Sequence, residues 1–194
     1  MHATARAQTT LSTGARPGTG PMVVDGPLAA GDALRGGVLL LGNFDGFHLG
    51  HRALLAAARR AAPGRPVGVM SCTPHPRAFF NPAAPAFQLA TPRSRLATLG
   101  RAGVAFIFAP RFDAAFAGLE PERFVRDILV DGLGVAHVVA GADFRFGRGR
   151  AGDVAMLGTL GHRAGFGLSV VDPVPGEGVE RVSSTAIRAR LGAG

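Results

Sequence analysis

Residues Gly42 to His51 read G-N-F-D-G-F-H-L-G-H, a glycine-bounded turn carrying two histidines three residues apart. The apolar run Val38 to Leu41 precedes it, and Ala53 to Ala62, rich in alanine, leucine and arginine, follows it. That order predicts strand, tight turn, helix. A helix that opens here aims its unused backbone N–H groups and its positive dipole end at one point, which suits an anion and phosphate above all. His48 and His51 share a helical face, and Gly50 between them lets a ligand come close to the backbone. Zinc is the competing chemistry for a histidine pair. It needs three or four ligands, and the only cysteine, Cys72, has no Cys-x-x-C or third-histidine context, so no metal site is expected. Histidines that merely cap a helix would leave Gly42, Asp45 and Gly46 in the same turn without a reason.

Three more stretches combine chemistry with punctuation. Thr73 to Phe80, T-P-H-P-R-A-F-F, sets two prolines around His75, which predicts a stiff extended loop able to hold Phe79 or Phe80 as a wall for a flat ring. A proline-rich surface loop with its phenylalanines in the core is the plainer alternative. Gly141 to Arg150, G-A-D-F-R-F-G-R-G-R, interleaves glycines with Arg145, Arg148 and Arg150, a pattern fit for phosphate and equally fit for a solvated loop. Arg181 to Arg188, R-V-S-S-T-A-I-R, offers Ser183 or Ser184 as a helix cap, Thr185 in the first turn and Arg188 one turn on. Such a helix start binds phosphate or is simply capped.

The elements that must position these residues follow from the spacing of short apolar runs and helical patterns. Strands are expected near Val38 to Leu41, Pro66 to Cys72, Val104 to Phe108, Val135 to Ala140 and Gly167 to Val171. Helices are expected over His48 to Ala62, Pro92 to Arg101, Pro121 to Leu133, Val154 to Ala164 and Ser184 to Leu191. The fold class is α/β, a doubly wound parallel sheet of about five strands, whose ligands bind beyond the strand C-termini where the strand order reverses. The turn after the first strand falls there. No Walker A sequence and no G-x-G-x-x-G after a strand occurs, so P-loop and dinucleotide-dehydrogenase readings lack their marks.

Composition narrows the class. The chain has 194 residues, a single-domain length that can bury a core without disulfides or structural metal. One cysteine suits a reducing compartment, and no apolar run approaches a membrane span, so a soluble, cytoplasmic protein without membrane partners is expected. The net charge of +8 rests wholly on arginine, as the chain contains no lysine. Without tyrosine, tryptophan or a basic helical run, nucleic acid is not an expected partner. Residues 1 to 21 are small and polar and read as a disordered extension, with the domain covering 22 to 194. The oligomeric state is not legible.

Taken together, the four stretches resemble the adenylyltransferase module of the bacterial bifunctional riboflavin kinase/FMN adenylyltransferases, the FAD synthetases of the nucleotidyltransferase superfamily. G-N-F-D-G-F-H-L-G-H is similar to the H-x-G-H signature in its G-x-F-D-G-x-H form. Gly141 to Gly147 with Arg150-Ala-Gly-Asp153 resembles the family's G-x-[DN]-F-x-F-G and R-x-G-D, and Ser183 to Arg188 resembles S-S-T-x-I-R. The resemblance implies adenylyl transfer from ATP to FMN, giving FAD and pyrophosphate, with Mg²⁺ bound mainly through the phosphates. It assigns His48, His51 and Arg188 to catalysis. Gly42, Asn43, Phe44, Asp45, Gly50, Arg181, Ser183, Ser184 and Thr185 would meet ATP; Pro74, His75, Pro76, Phe80, Asp143, Phe144, Arg145 and Phe146 would meet FMN. Cys72 stands where the family usually has an aromatic residue. Nothing like the kinase motif G-x-P-T-A-N is present, so riboflavin phosphorylation is not expected. Transfer of AMP or CMP to another phosphorylated acceptor is the alternative within the superfamily, and a non-catalytic flavin or nucleotide binder the alternative outside it.

Overall fold

The computed structural model describes residues 20–82 and 90–174. The expected segment Arg181 to Arg188, the helix from Ser184 to Leu191 and the first nineteen residues lie outside them. Packing begins at Pro21, which is buried beside Gly100. Six parallel strands form one sheet: β1 (Met22–Val24), β2 (Val38–Leu41), β3 (Val67–Met70), β4 (Phe106–Phe108), β5 (His137–Gly141) and β6 (Gly167–Val171), in the order β1-β4-β3-β2-β5-β6. Sequence reasoning expected about five. The extra strand, β1, has only three residues, lies at the sheet edge against β4 and leaves Met22 and Val23 exposed, so it has too little apolar pattern to read.

The winding follows from side-chain alternation. Strand neighbours point to opposite faces, so Leu39 and Leu41 enter one core and Val38 and Leu40 the other. On the first face lie the helical segment after Pro121 and helix α6 (Val154–Ala164), through Phe124, Leu129 and Leu157. On the second lie α1 (Leu49–Ala61) and α3 (Pro92–Arg101), through Leu54, Leu55, Ala58 and Leu99. Every residue of β2 is buried, as a strand covered on both faces must be.

Other boundaries depart from expectation. His48 is the N-cap of α1 and not its first turn. Two short helices were not foreseen, α2 (Pro76–Phe80) and α4 (Ala114–Ala117). The helix expected over Pro121 to Leu133 starts as α5 (Pro121–Arg123) and continues as a wider π-helix, Phe124–Gly132. The Arg35 guanidinium donates to the carbonyls of Leu28 and Gly132, each at 3.0 Å, and thereby satisfies part of that helix's C-terminal end.

Gly68 of β3 pairs in register with Phe106 of β4, and a Cβ on Gly68 would lie 2.2 Å from the Phe106 ring. Gly68→Ala is therefore expected to lower stability by about 1–3 kcal/mol, the range for overpacking a full core. Thermal melting checks this, and an unchanged midpoint would show that the ring swings aside without cost.

Candidate active site

The strand order places the reversal at β2 and β5: the chain moves from β2 to β3 and β4 on one side, then returns to lay β5 and β6 on the other. The loops that leave β2 and β5 diverge, and a crevice opens beyond their C-terminal ends. A cleft of about 900 Å³ lies there. Its walls include Gly42, Asn43, His48, Gly50 and His51 after β2, His75, Pro76 and Phe80 around α2, and Asp143 to Arg150 after β5. Three of the four chemical stretches thus meet in one place.

In the first wall, Gly46 adopts φ 86°, reverses the chain and delivers His48 to the N-cap of α1. The first helical bond runs from Arg52 N to the His48 carbonyl, so the N–H groups of Leu49, Gly50 and His51 precede the intrahelical ladder. No acidic residue stands in this first turn, while Arg59 and Arg60 occupy the last. The helix therefore keeps its positive end uncompensated by its own side chains and favours an anion.

His51 is a buried polar residue, 5% exposed. Its ring stacks on Phe44 at 4.3 Å and on His48 at 3.8 Å, and its Nδ1 donates to the Gly46 carbonyl at 3.0 Å. Burial and the neighbouring His48 hold its pKa down at about 3, against the pull of the Gly46 and Asn43 carbonyls and Asp45 toward a protonated ring.

Phe44 and Asp45, both expected to touch ATP, lie beneath the turn and do not line the cleft. Phe44 is core and supports the imidazole; Asp45 is buried, and its Oδ1 accepts from Ala90 N at 3.3 Å, tying the turn to the start of α3.

The second wall corrects the expected extended loop. The Thr73–Pro74 peptide is cis, and from Pro76 the chain turns into α2. Proline at the first helical position costs no hydrogen bond there, which explains why P-H-P opens a helix here. His75 is the N-cap, and its Nδ1 accepts from Arg77 N at 3.1 Å, so Nε2 bears the proton. Pro74 stands behind this cap and is not among the lining residues. Phe80 reaches the rim, 69% exposed, in an edge-to-face cluster with Phe79 and Phe112.

The ring-facing floor is larger than sequence reasoning found. Phe112, Phe116 and Phe124 line the cleft together with Phe80, Phe144 and Phe146. Successive rings in the series 80, 112, 116, 124, 146 and 144 lie between 5.4 and 6.2 Å apart. The i, i+4 spacing of Phe112 and Phe116 was the available signal, but it reads equally well as core.

In the third wall Arg145 pairs with Asp153 at 3.4 Å and Arg148 with Glu120, while Arg148 N donates to the Leu119 carbonyl at 2.7 Å. The arginine loop is thereby strapped to the segment between α4 and α5. Cys72 also lines the cleft, its thiol pushed up to about 11 by burial and so unreactive at neutral pH.

An all-parallel doubly wound sheet with a histidine-bearing glycine turn at its switch point and an aromatic floor beside it defines a nucleotidyltransferase-type α/β domain. The chain belongs to the FAD synthetase family, whose model matches residues 31–186. It is 40% identical over 158 residues to the bifunctional riboflavin kinase/FMN adenylyltransferase of Escherichia coli K12, covering 80% of this chain and 50% of that protein. The corresponding protein of Pseudomonas fluorescens is 42% identical over 82% of this chain and 51% of its own length. The FAD synthetase of Listeria monocytogenes is 34% identical over 84% of this chain and 66% of its own length. The chain thus spans about half the length of the bifunctional relatives it matches. A solved structure from Streptococcus pneumoniae, described as a macrolide-efflux protein, shares the fold with a TM-score of 0.73 and 28% identity, over 81% of this chain and 51% of that one.

The buried imidazole ties stability to pH. The unfolded chain takes up a proton on this histidine near pH 6.5, and the folded chain refuses it until about 3. Stability is accordingly complete above pH 6.5 and falls progressively between 6.5 and about 3. His51→Gln should flatten that fall in denaturant titrations at stepped pH. Some slope will remain, because burial also lowers the pKa of His137 and the Arg126 and Arg123 partners lower that of Asp127. An unaltered slope would show that His51 is not the linked group.

Proposed function

We propose that this chain transfers the AMP of ATP to FMN, giving FAD and pyrophosphate. The observation that carries this reading is that one cleft joins an uncompensated helix N-terminus with two histidines to a continuous floor of phenylalanines. The first suits a polyphosphate and the second a planar ring system. The names of the related proteins, FMN adenylyltransferase and FAD synthetase, point the same way.

The chemistry asks little of a base. The FMN phosphate is already anionic at neutral pH and attacks the α-phosphorus of ATP as the bond to the bridging oxygen breaks. The protein has to align that in-line attack and stabilise charge on the bridging and leaving oxygens. The N–H groups at the start of α1, with Gly42, Asn43, His48 and His51, would hold the ATP phosphates. His75, whose Nε2–H can donate, and the floor from Phe80 to Phe144 would hold FMN, with Asp143 and Arg145 beside it. Arg181, Ser183, Ser184, Thr185 and Arg188 would meet the leaving pyrophosphate, as the family pattern assigns them. Among the described residues no group of three or more His, Cys, Asp or Glu can hold a metal. Mg²⁺ would arrive on the phosphates of ATP, as the family resemblance implies.

Chromatography of products from ATP, Mg²⁺ and FMN, with nicotinamide mononucleotide and phosphopantetheine offered in parallel, is expected to show FAD from FMN and no adduct with the others. Transfer to another acceptor in place of FMN would overturn the choice of acceptor, and no transfer with any would overturn the reading. His51→Ala should lower turnover by about 10²- to 10³-fold, the range for removing one pre-organised donor. A raised ATP KM with kcat unchanged would instead make it a ground-state binding group. Phe80→Ala should weaken FMN about tenfold and leave ATP affinity and the melting midpoint nearly unchanged, since this ring is exposed at the rim. Equal loss for both ligands in calorimetric titration would mean that Phe80 supports the fold and not the acceptor.

A further inference from the structure

The two nitrogens of His51 meet different demands. Nδ1 lies 3.0 Å from the Gly46 carbonyl, and a carbonyl only accepts, so Nδ1 carries the hydrogen. In the neutral ring Nε2 then holds a lone pair. Phosphate oxygens accept as well. A polyphosphate brought against this cleft residue would set acceptor against acceptor, and shifting the lone proton to Nε2 would strip the Gly46 carbonyl of its donor. Only a second proton serves both sides.

The turn itself is built to refuse that proton. The ring is 5% exposed and stacked on the aromatic face of Phe44 and on a second imidazole, His48. Within the turn the charged or titratable neighbours are His48, which opposes protonation, and Asp45, which favours it weakly. The facing walls of the cleft bring Asp143, Arg145, Arg148 and Arg150 after β5, Asp172 after β6, and His75 and Arg77 at α2. Arg145 and Arg148 are already matched by Asp153 and Glu120. An incoming polyphosphate carries several negative charges, more than any group already in place, and it enters where water is partly excluded.

We propose that nucleotide and proton bind together at His51: a polyphosphate entering the turn draws a proton from solvent onto Nε2, and departing pyrophosphate returns it. This rests on the reading of the turn as the ATP site. Adenylyl transfer itself forms one P–O bond and breaks another and consumes no proton, so the uptake belongs to binding and is repaid at release. The imidazolium that stabilises the leaving oxygens then exists only when there is a phosphate to stabilise.

The test is calorimetric titration of the intact chain with Mg²⁺-saturated ATP, without FMN, at about pH 7.5 in buffers of different ionisation heat, which reads the protons exchanged on binding. The wild type should take up a measurable fraction of a proton per ATP bound. His51→Gln, which can donate but cannot titrate, should bind ATP with almost none, and His48→Gln should keep the uptake. Binding without uptake in the wild type overturns the coupling and leaves the proposed function standing. Uptake lost in His48→Gln and kept in His51→Gln assigns the proton to the other ring and overturns it as well. Absence of any ATP binding overturns the functional reading together with this one. If His51→Gln does not fold, the wild-type buffer series and the His48→Gln series still decide.

Discussion

Val38–Leu41 has no face left for water, and the rest of the molecule is arranged around that fact. A strand buried on both sides must be flanked by strands on both edges and by helices above and below. Its two neighbours, β3 and β5, are reached by crossovers on opposite sides of the sheet, so the segments leaving β2 and β5 separate and cannot pack on each other. The crevice between them is a consequence of connectivity and not of any side chain. Once it exists, the start of α1 has to open into it, because α1 begins eight residues after β2 ends and packs back on the same sheet.

The cleft divides its work by polarity. Backbone N–H groups and two imidazoles lie at the β2 end, and phenylalanines from α2, from the segment around α4, from the π-helix and from the loop after β5 form the other side. No single element supplies the aromatic floor; it exists only because the helix after Pro121 lies on the sheet face from which that loop emerges. The Arg148–Glu120 pair and the Arg148 N to Leu119 bond keep the two segments together. The ion pair is exposed and contributes little to stability by itself. Its value is positional, since it sets how far the arginine loop stands from the floor. The cost of the polar end is concentrated in His51, a titratable ring placed in the core because the turn needs its hydrogen bond to Gly46 and its stack on Phe44.

Five of the six strands and the long helices α1, α3 and α6 were legible from apolar runs, to within a few residues at each end. What escaped is instructive. β1 is three residues long and half solvated, so neither length nor alternation announces it. α2 hides behind P-H-P, where the prolines read as extended chain although Pro76 is placed to start a helix. The turn Gly42 to His51 was correctly located, yet Phe44 and Asp45 could not be sorted from Asn43 and His48 by type alone. All four sit in one reversal, and which side chains face the cleft depends on the dihedral angles of that reversal, Gly46 above all.

The sequence by itself determined the α/β alternation, the buried strand Val38–Leu41, the glycine- and histidine-bearing turn behind it and, through motif resemblance, the family. These are local properties: a run of apolar residues, a glycine before a helix and a pair of histidines one turn apart are read within ten residues of chain. Only the tertiary structure decided that His51 is a buried, neutral ring whose Nδ1 is already committed, that the Asp45 carboxylate is buried and accepts from Ala90 N, and that Phe112, Phe116 and Phe124 join Phe80 as one surface. The tautomer is set by the folded geometry of one local turn, whereas burial and shared walls are set by residues far apart in sequence, and the strand order that brings those together is a global outcome of packing both faces of one sheet.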